Sequence, residues 1–106
     1  MPTVPRTLLD HKRLQASLQK AKRALKPDVI RIMYSFEEDW TGEPSLFFRV
    51  LITDAASDPK RLRETVQRIE TKVLRETKAD ERGLQTYFSF RNESEQAQLR
   101  DPTWEP

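Results

Sequence analysis

The strongest constraint on this chain is a pair of alternating stretches separated by one short turn. In residues 29–37, Ile30, Ile32, Tyr34 and Phe36 alternate with Arg31, Met33, Ser35 and Glu37. In residues 45–53, Leu46, Phe48, Val50 and Ile52 alternate with Phe47, Arg49, Leu51 and Thr53. A period of two marks a half-buried strand, because successive side chains leave a strand on opposite faces. Between the two runs, Glu38 to Pro44 reads Glu-Asp-Trp-Thr-Gly-Glu-Pro, with Gly42 supplying backbone freedom. Two strands joined by so short a loop predict an antiparallel hairpin.

Helical periodicity flanks the hairpin. Leu14, Leu18, Ala21 and Leu25 recur at steps of four and three, as do Leu62, Val66, Ile69 and Val73. The first helix is predicted to begin at Thr7, with Asp10 completing a capping-box variant, and to stop at Pro27. The second is predicted to take Asp58 as N-cap and Pro59 as first helical residue, and to run to about Asp80 with Gly83 beyond it. Residues 84–91 read as a third strand, with Leu84, Thr86, Phe88 and Phe90 on one face and Gln85, Tyr87, Ser89 and Arg91 on the other.

Residues 1–6 read as a loose arm, 7–92 as a single domain and 93–106 as a polar C-terminal tail. The α-β-β-α-β order predicts an α+β fold, a two-layer sandwich with both helices on one face of a three-stranded sheet. The expected core joins both helical stripes to the even-numbered residues Ile30 to Phe36 and Leu46 to Ile52, with Phe88 and Phe90.

A length of 106 residues suits one domain. With no cysteine, one histidine and two glycines, the chain has no disulfide framework, thiol nucleophile or glycine-rich phosphate loop. No apolar run approaches the ~20 residues of a membrane span. The start, Met-Pro-Thr-Val-Pro-Arg, lacks a signal peptide's apolar core, so a cytoplasmic location is expected. Charge falls in blocks: residues 1–31 carry eight Lys/Arg against two acids, and residues 32–58 carry one Arg against six acids. Such blocks steer partners more than they set a fold. A pI near 9.1 raises nucleic acid as a partner, and a net charge of +2 does not favour it.

Catalytic constellations are sparse. His11 lies beside the apolar stripe and reads as a boundary residue. Glu37, Glu38, Asp39 and Glu43 crowd the hairpin, but their spacing fits no calcium loop and solvated turn acids account for them. Pro27-Asp28 with Glu70-Thr71-Lys72 or Glu76-Thr77-Lys78 has the composition of a PD-(D/E)xK nuclease. Both triplets fall in the second helix, whereas that chemistry needs them on a strand beside the aspartate. The expectation is therefore a non-enzymatic protein with no cofactor, no metal site, no membrane contact and no small-molecule substrate.

The odd-numbered face is the better candidate. It carries Arg31, Met33, Phe47, Arg49, Leu51, Tyr87 and Arg91. Mixed Arg, Met and aromatic content is typical of protein interfaces, and Met33, Phe47, Leu51 and Tyr87 are expected to lie uncovered together. Arginine interleaved with aromatics also suits RNA or single-stranded DNA. The chain's own tail or a second copy could cover the same face. Trp40 in the hairpin and Trp104 in the tail are further anchor candidates, since tryptophan is favoured at interface hot spots; Trp104 reads equally as folding back on its own domain.

Two resemblances bear on this choice. The element order resembles KH-like folds of the second type, but Gly42 and Gly83 are too far apart to form their Gly-x-x-Gly RNA loop. The run from Tyr34 to Val50, Tyr-Ser-Phe-Glu-Glu-Asp-Trp-Thr-Gly-Glu-Pro-Ser-Leu-Phe-Phe-Arg-Val, resembles short bacterial proteins of unassigned function. So does the run from Tyr87 to Gln96. Proteins of this kind are encoded beside a helical HEPN-type partner, a class that includes toxin ribonucleases. The resemblance implies a bacterial partner protein, antitoxin-like or part of a defence module, and transfers no catalytic residue. The expected function is protein binding or self-association; the alternative is an RNA or single-stranded DNA module using the Arg–aromatic face.

Overall fold

A computed structural model describes residues 11–105. Its elements are α1 (His11–Ala24), β1 (Val29–Glu38), β2 (Pro44–Ile52), α2 (Leu62–Thr77), β3 (Gln85–Asn92) and α3 (Glu93–Leu99). The fold is α+β, with a three-stranded mixed sheet ordered β1-β2-β3. The expected cap at Thr7 and Asp10 lies outside the described residues.

β1 and β2 pair antiparallel from Arg31↔Leu51 to Glu38↔Pro44, as a short hairpin requires. β3 runs parallel to β2, from Ser45↔Gln85 to Ile52↔Asn92. A parallel neighbour cannot follow directly from a tight turn, and α2 supplies the crossover. β2 is thus the central strand, and Leu46, Phe48, Val50 and Ile52 are all buried. They form one hydrophobic cluster with Leu14, Leu18, Ala21 and Leu25 of the first helical stripe and Ile69 and Val73 of α2. β1 and β3 are the sheet edges, so Ile32, Tyr34, Phe88 and Phe90 are only partly buried against that cluster.

Four expectations are corrected. The register shifts between Val29 and Arg31, so Val29 sits opposite Ile52 and Ile30 is the extra residue. Such a bulge breaks the alternation, and the buried residue here is Val29. Phe36, expected in the core, is 37% exposed because it lies on an edge strand near the turn. α2 starts a turn later than Asp58-Pro59 implied. The Asp58 carboxylate accepts from the Lys60 N–H, and its carbonyl accepts from Arg61 and Leu62, so Asp58 caps the lead-in turn. α2 stops at Thr77, with Lys78 left-handed at φ 55°; Gly83, at φ 79°, closes a separate short turn over Asp80–Arg82.

The largest correction concerns residues 93–105. Asn92 caps α3, its side chain accepting from the Glu95 N–H while the Glu95 carboxylate accepts from the Asn92 N–H. Arg100 ends the helix at φ 50°. Asp101 then caps a 3-10 turn over Pro102–Trp104 by accepting from the Thr103 N–H and hydroxyl. The polar tail is therefore folded, and Trp104 is only 5% exposed.

Candidate interaction surface

The strand registers arrange the odd-numbered face in three cross-strand rows. Arg31, Leu51 and Arg91 form one, Met33, Arg49 and Ser89 the next, and Ser35, Phe47 and Tyr87 the row nearest the hairpin turn. The C-terminal segment occupies the basic part of this face. The Arg31 guanidinium donates to the Trp104 carbonyl at 2.8 Å and pairs with Glu105 at 3.4 Å. Arg49 donates to the Thr103 carbonyl at 2.8 Å and also to the Ser35 hydroxyl. Arg91 lies 4.6 Å from the centre of the Trp104 ring, a cation–π contact, and donates to Gln96 and Asp101. Buried Gln96 ties the segment to itself, donating to the Asp101 carbonyl and to Glu105.

Leu51 and Trp104 were expected to be offered to a partner. Leu51 is 6% exposed, and Trp104 takes the other course open to it, folding back on its own domain in contact with Arg91. Arg31, Arg49 and Arg91 are engaged by the chain's own C-terminal segment. The four expected patch residues are thereby separated: Met33, Phe47 and Tyr87 remain half-buried while Leu51 is enclosed.

The row nearest the turn is built differently. The Phe47 and Tyr87 rings stack with centroids 5.0 Å apart. Trp40 leans on Tyr87 at 5.2 Å and is itself 79% exposed. Its position is set by Asp39, which starts a tight turn: the Gly42 N–H donates to the Asp39 carbonyl and the Asp39 N–H to Glu43. Gly42 stands at φ 85°, which a side chain disfavours. One Asp39 carboxylate oxygen accepts from the Thr41 hydroxyl at 2.6 Å, the Thr41 N–H at 2.9 Å and the Glu43 N–H at 3.1 Å. The other accepts from the Tyr87 hydroxyl at 2.8 Å.

These bonds hold the Asp39 carboxyl well below the usual carboxylate range, the Thr41 hydroxyl contributing most and partial burial opposing it. Donation to that carboxylate, with some burial, pushes the Tyr87 hydroxyl up. The anion ties the turn to the third strand and leaves the tryptophan displayed. Glu37, Glu38 and Glu43 are exposed on the same arm, so its rim is acidic.

The other chemical candidates are occupied. Asp28 is buried and pairs with Arg61 at 3.6 Å and with Arg68, tying α2 to the start of β1. Glu76 pairs with Lys20 and Lys72, and both Glu-x-Lys triplets lie on α2 or its C-cap and not on a strand. His11 Nδ1 lies 2.7 Å from the Tyr34 hydroxyl, with the rings stacked. Among the described residues no group of three or more His, Cys, Asp or Glu side chains converges on one point, and no helix is long and apolar enough to cross a membrane.

Two residues that organise this face were given no such part from pattern alone: Asp39, counted only among the hairpin acids, and Gln96. Both had local signals, Asp39 in the Asp-x-Thr-Gly turn and Gln96 one residue beyond the Asn92-x-x-Glu95 capping box. Comparison with family models, curated proteins and solved structures found no match to this chain.

Proposed function

We propose that this chain is a small, non-enzymatic binding protein that docks a protein partner through the acid-rimmed aromatic arm of its hairpin. The observation that carries this reading is Trp40, 79% exposed yet held on the Tyr87–Phe47 stack by a fully engaged Asp39. A displayed tryptophan on a braced turn loses little conformational freedom on binding, which is how preorganisation raises affinity. Such an aromatic anchor seeks a desolvated pocket in its partner. The glutamates around it favour a pocket rimmed by lysine or arginine.

The nucleic-acid alternative loses support on two counts. The arginines of the outer face spend donors on the C-terminal segment, and the free aromatic end carries Glu37, Glu38 and Glu43, which repel phosphate. In the proposed architecture both long helices form one layer over the sheet, and the opposite layer holds the arm and the docked C-terminal segment. The sequence resemblance makes a HEPN-type helical protein, in the cytoplasm of a bacterium, the first partner to test, with an antitoxin-like or defence role.

Photocrosslinking tests the surface directly. A photoreactive residue at position 38 or 43 should capture the partner, and one at Gln67, on the exposed side of α2, should not. Capture from position 67 alone would place the interface on the helices and overturn the reading.

A further inference from the structure

The free edge of β1 carries a second interaction surface, independent of the hairpin reading. The turn bonds point the Asp39 backbone at the second strand. Because residues of an antiparallel strand alternate between bonding a neighbour and facing away, Glu37, Ser35 and Met33 bond β2. The N–H and carbonyl groups of Glu38, Phe36, Tyr34 and Ile32 then face outward. The register is unbroken from Arg31 to Glu38, so among the described residues this row of groups without a strand partner is continuous. It contains no proline and no lysine, the residues that usually blunt a strand edge. A groove of about 710 Å³ runs along it, with Gln15 and Gln19 of α1 on one side, Pro102 and Thr103 on the other, and Ile32 and Tyr34 between.

We infer that this edge pairs with the same edge of a second copy, antiparallel about a two-fold axis at Tyr34, to make a continuous six-stranded sheet. Charge and apolar complementarity single out that register. A two-fold at Tyr34 sets Arg31 opposite the second copy's Glu37, twice by symmetry, and Ile32 opposite its Phe36. Shifting the axis to Met33 faces Glu37 with Val29. Shifting it to Ser35 faces Glu37 with Met33 and Glu38 with Ile32. The Ser35 axis also carries Arg31 past the strand end to Asp39, so only the Tyr34 register pairs both Arg31 and Glu37 with an opposite charge within β1, Glu38 falling opposite Ile30 at the bulge. It also covers Phe36, which the single chain leaves 37% exposed. Arg31 spends one nitrogen on the C-terminal segment, and a guanidinium carries five N–H donors, enough to serve both.

Sedimentation equilibrium on the full chain tests this. The wild-type protein should have twice the 12.5 kDa chain mass at micromolar concentration. Phe36→Pro removes an outward N–H without touching the β2 ladder and should give a folded monomer. Glu37→Arg and Arg31→Glu should each weaken the dimer by on the order of tenfold, because two opposed pairs become like-charged. An equimolar mixture of those two variants should dimerise again, since every arginine then faces a glutamate. The charge variants keep the test decisive should the proline variant unfold.

A wild-type mass of 12.5 kDa throughout overturns the proposal. So does a dimer affinity unchanged by Glu37→Arg, or a mixture that associates no more tightly than either variant alone. Trp40→Ala should leave the mass unchanged; loss of the dimer in that variant would assign self-association to the hairpin arm and overturn the edge pairing.

Discussion

Replacing Trp104 with alanine tests whether the C-terminal segment is a docked cover or part of the domain core. Trp104 is 5% exposed and bears the Arg91 guanidinium on its ring. Truncating a buried tryptophan costs about 3–5 kcal/mol, and loss of the cation–π contact is included in that figure. The remaining side-chain-to-backbone attachments are Arg31 to the Trp104 carbonyl, Arg49 to the Thr103 carbonyl and Asp54, whose carboxylate accepts from the Ser94 N–H and also from the Ser94 hydroxyl. Bonds to charged groups are worth about 1.5–3 kcal/mol each, so losing the ring should shift the segment toward opening without releasing it fully. The central hydrophobic cluster contains no residue from this segment, so the loss should appear as local undocking and not as global unfolding. Hydrogen exchange reads this directly: amides of residues 93–104 should lose protection while Leu46 to Ile52 keep theirs. As the cover opens, Arg31, Arg49 and Arg91 should raise the affinity for single-stranded oligonucleotides in a salt-dependent way. Wild-type protection across 93–104, or its loss along β2 as well, would refute the docked-cover account.

The two tryptophans should respond oppositely to acrylamide, one quenched freely and one protected, and Trp40→Ala should abolish the quenchable component. Asp39→Asn should destabilise the hairpin at neutral pH. Because the folded Asp39 carboxyl lies below its ordinary value of 3.8, the unfolded chain takes up the proton first. Its stabilisation is thus complete above about pH 5 and lost as pH falls through the folded value, and the wild-type advantage over Asp39→Asn, read from denaturant midpoints, should shrink only in acid. Phe48→Ala, in the closed core, should cost about 3–5 kcal/mol in urea unfolding, while Phe36→Ala on the exposed edge should cost less than about 1.5 kcal/mol. Equal losses would mean that the edge is as buried as the centre.

The hairpin, both long helices and the third strand were legible because each carries an apolar repeat of period two or near 3.6. Periodicity reports which face of an element is apolar, but not which strand is central. That is why Phe36 and Phe48 looked equivalent in sequence although β2 alone has a neighbour on each side. The bulge at Ile30 left no mark, since Val29 and Ile30 are equally apolar. Residues 93–105 failed for a different reason. α3 has only seven residues and is polar on nearly all sides, so capping and the single Trp104 hold it, and no stripe announces it. The outer face was composed correctly from strand parity. Its division into a covered basic part and a free aromatic end depended on a segment with no periodic signal.

The most direct test of the central claim is the affinity of the purified partner for wild type and for Trp40→Ala, measured by calorimetry with circular dichroism on both proteins. Trp40 contacts the fold through Tyr87 and is otherwise exposed, so the variant should keep its dichroism spectrum. Its affinity should fall by about 2–4 kcal/mol, on the order of 30- to 1,000-fold. A folded Trp40→Ala protein that binds its partner as tightly as wild type would contradict the account.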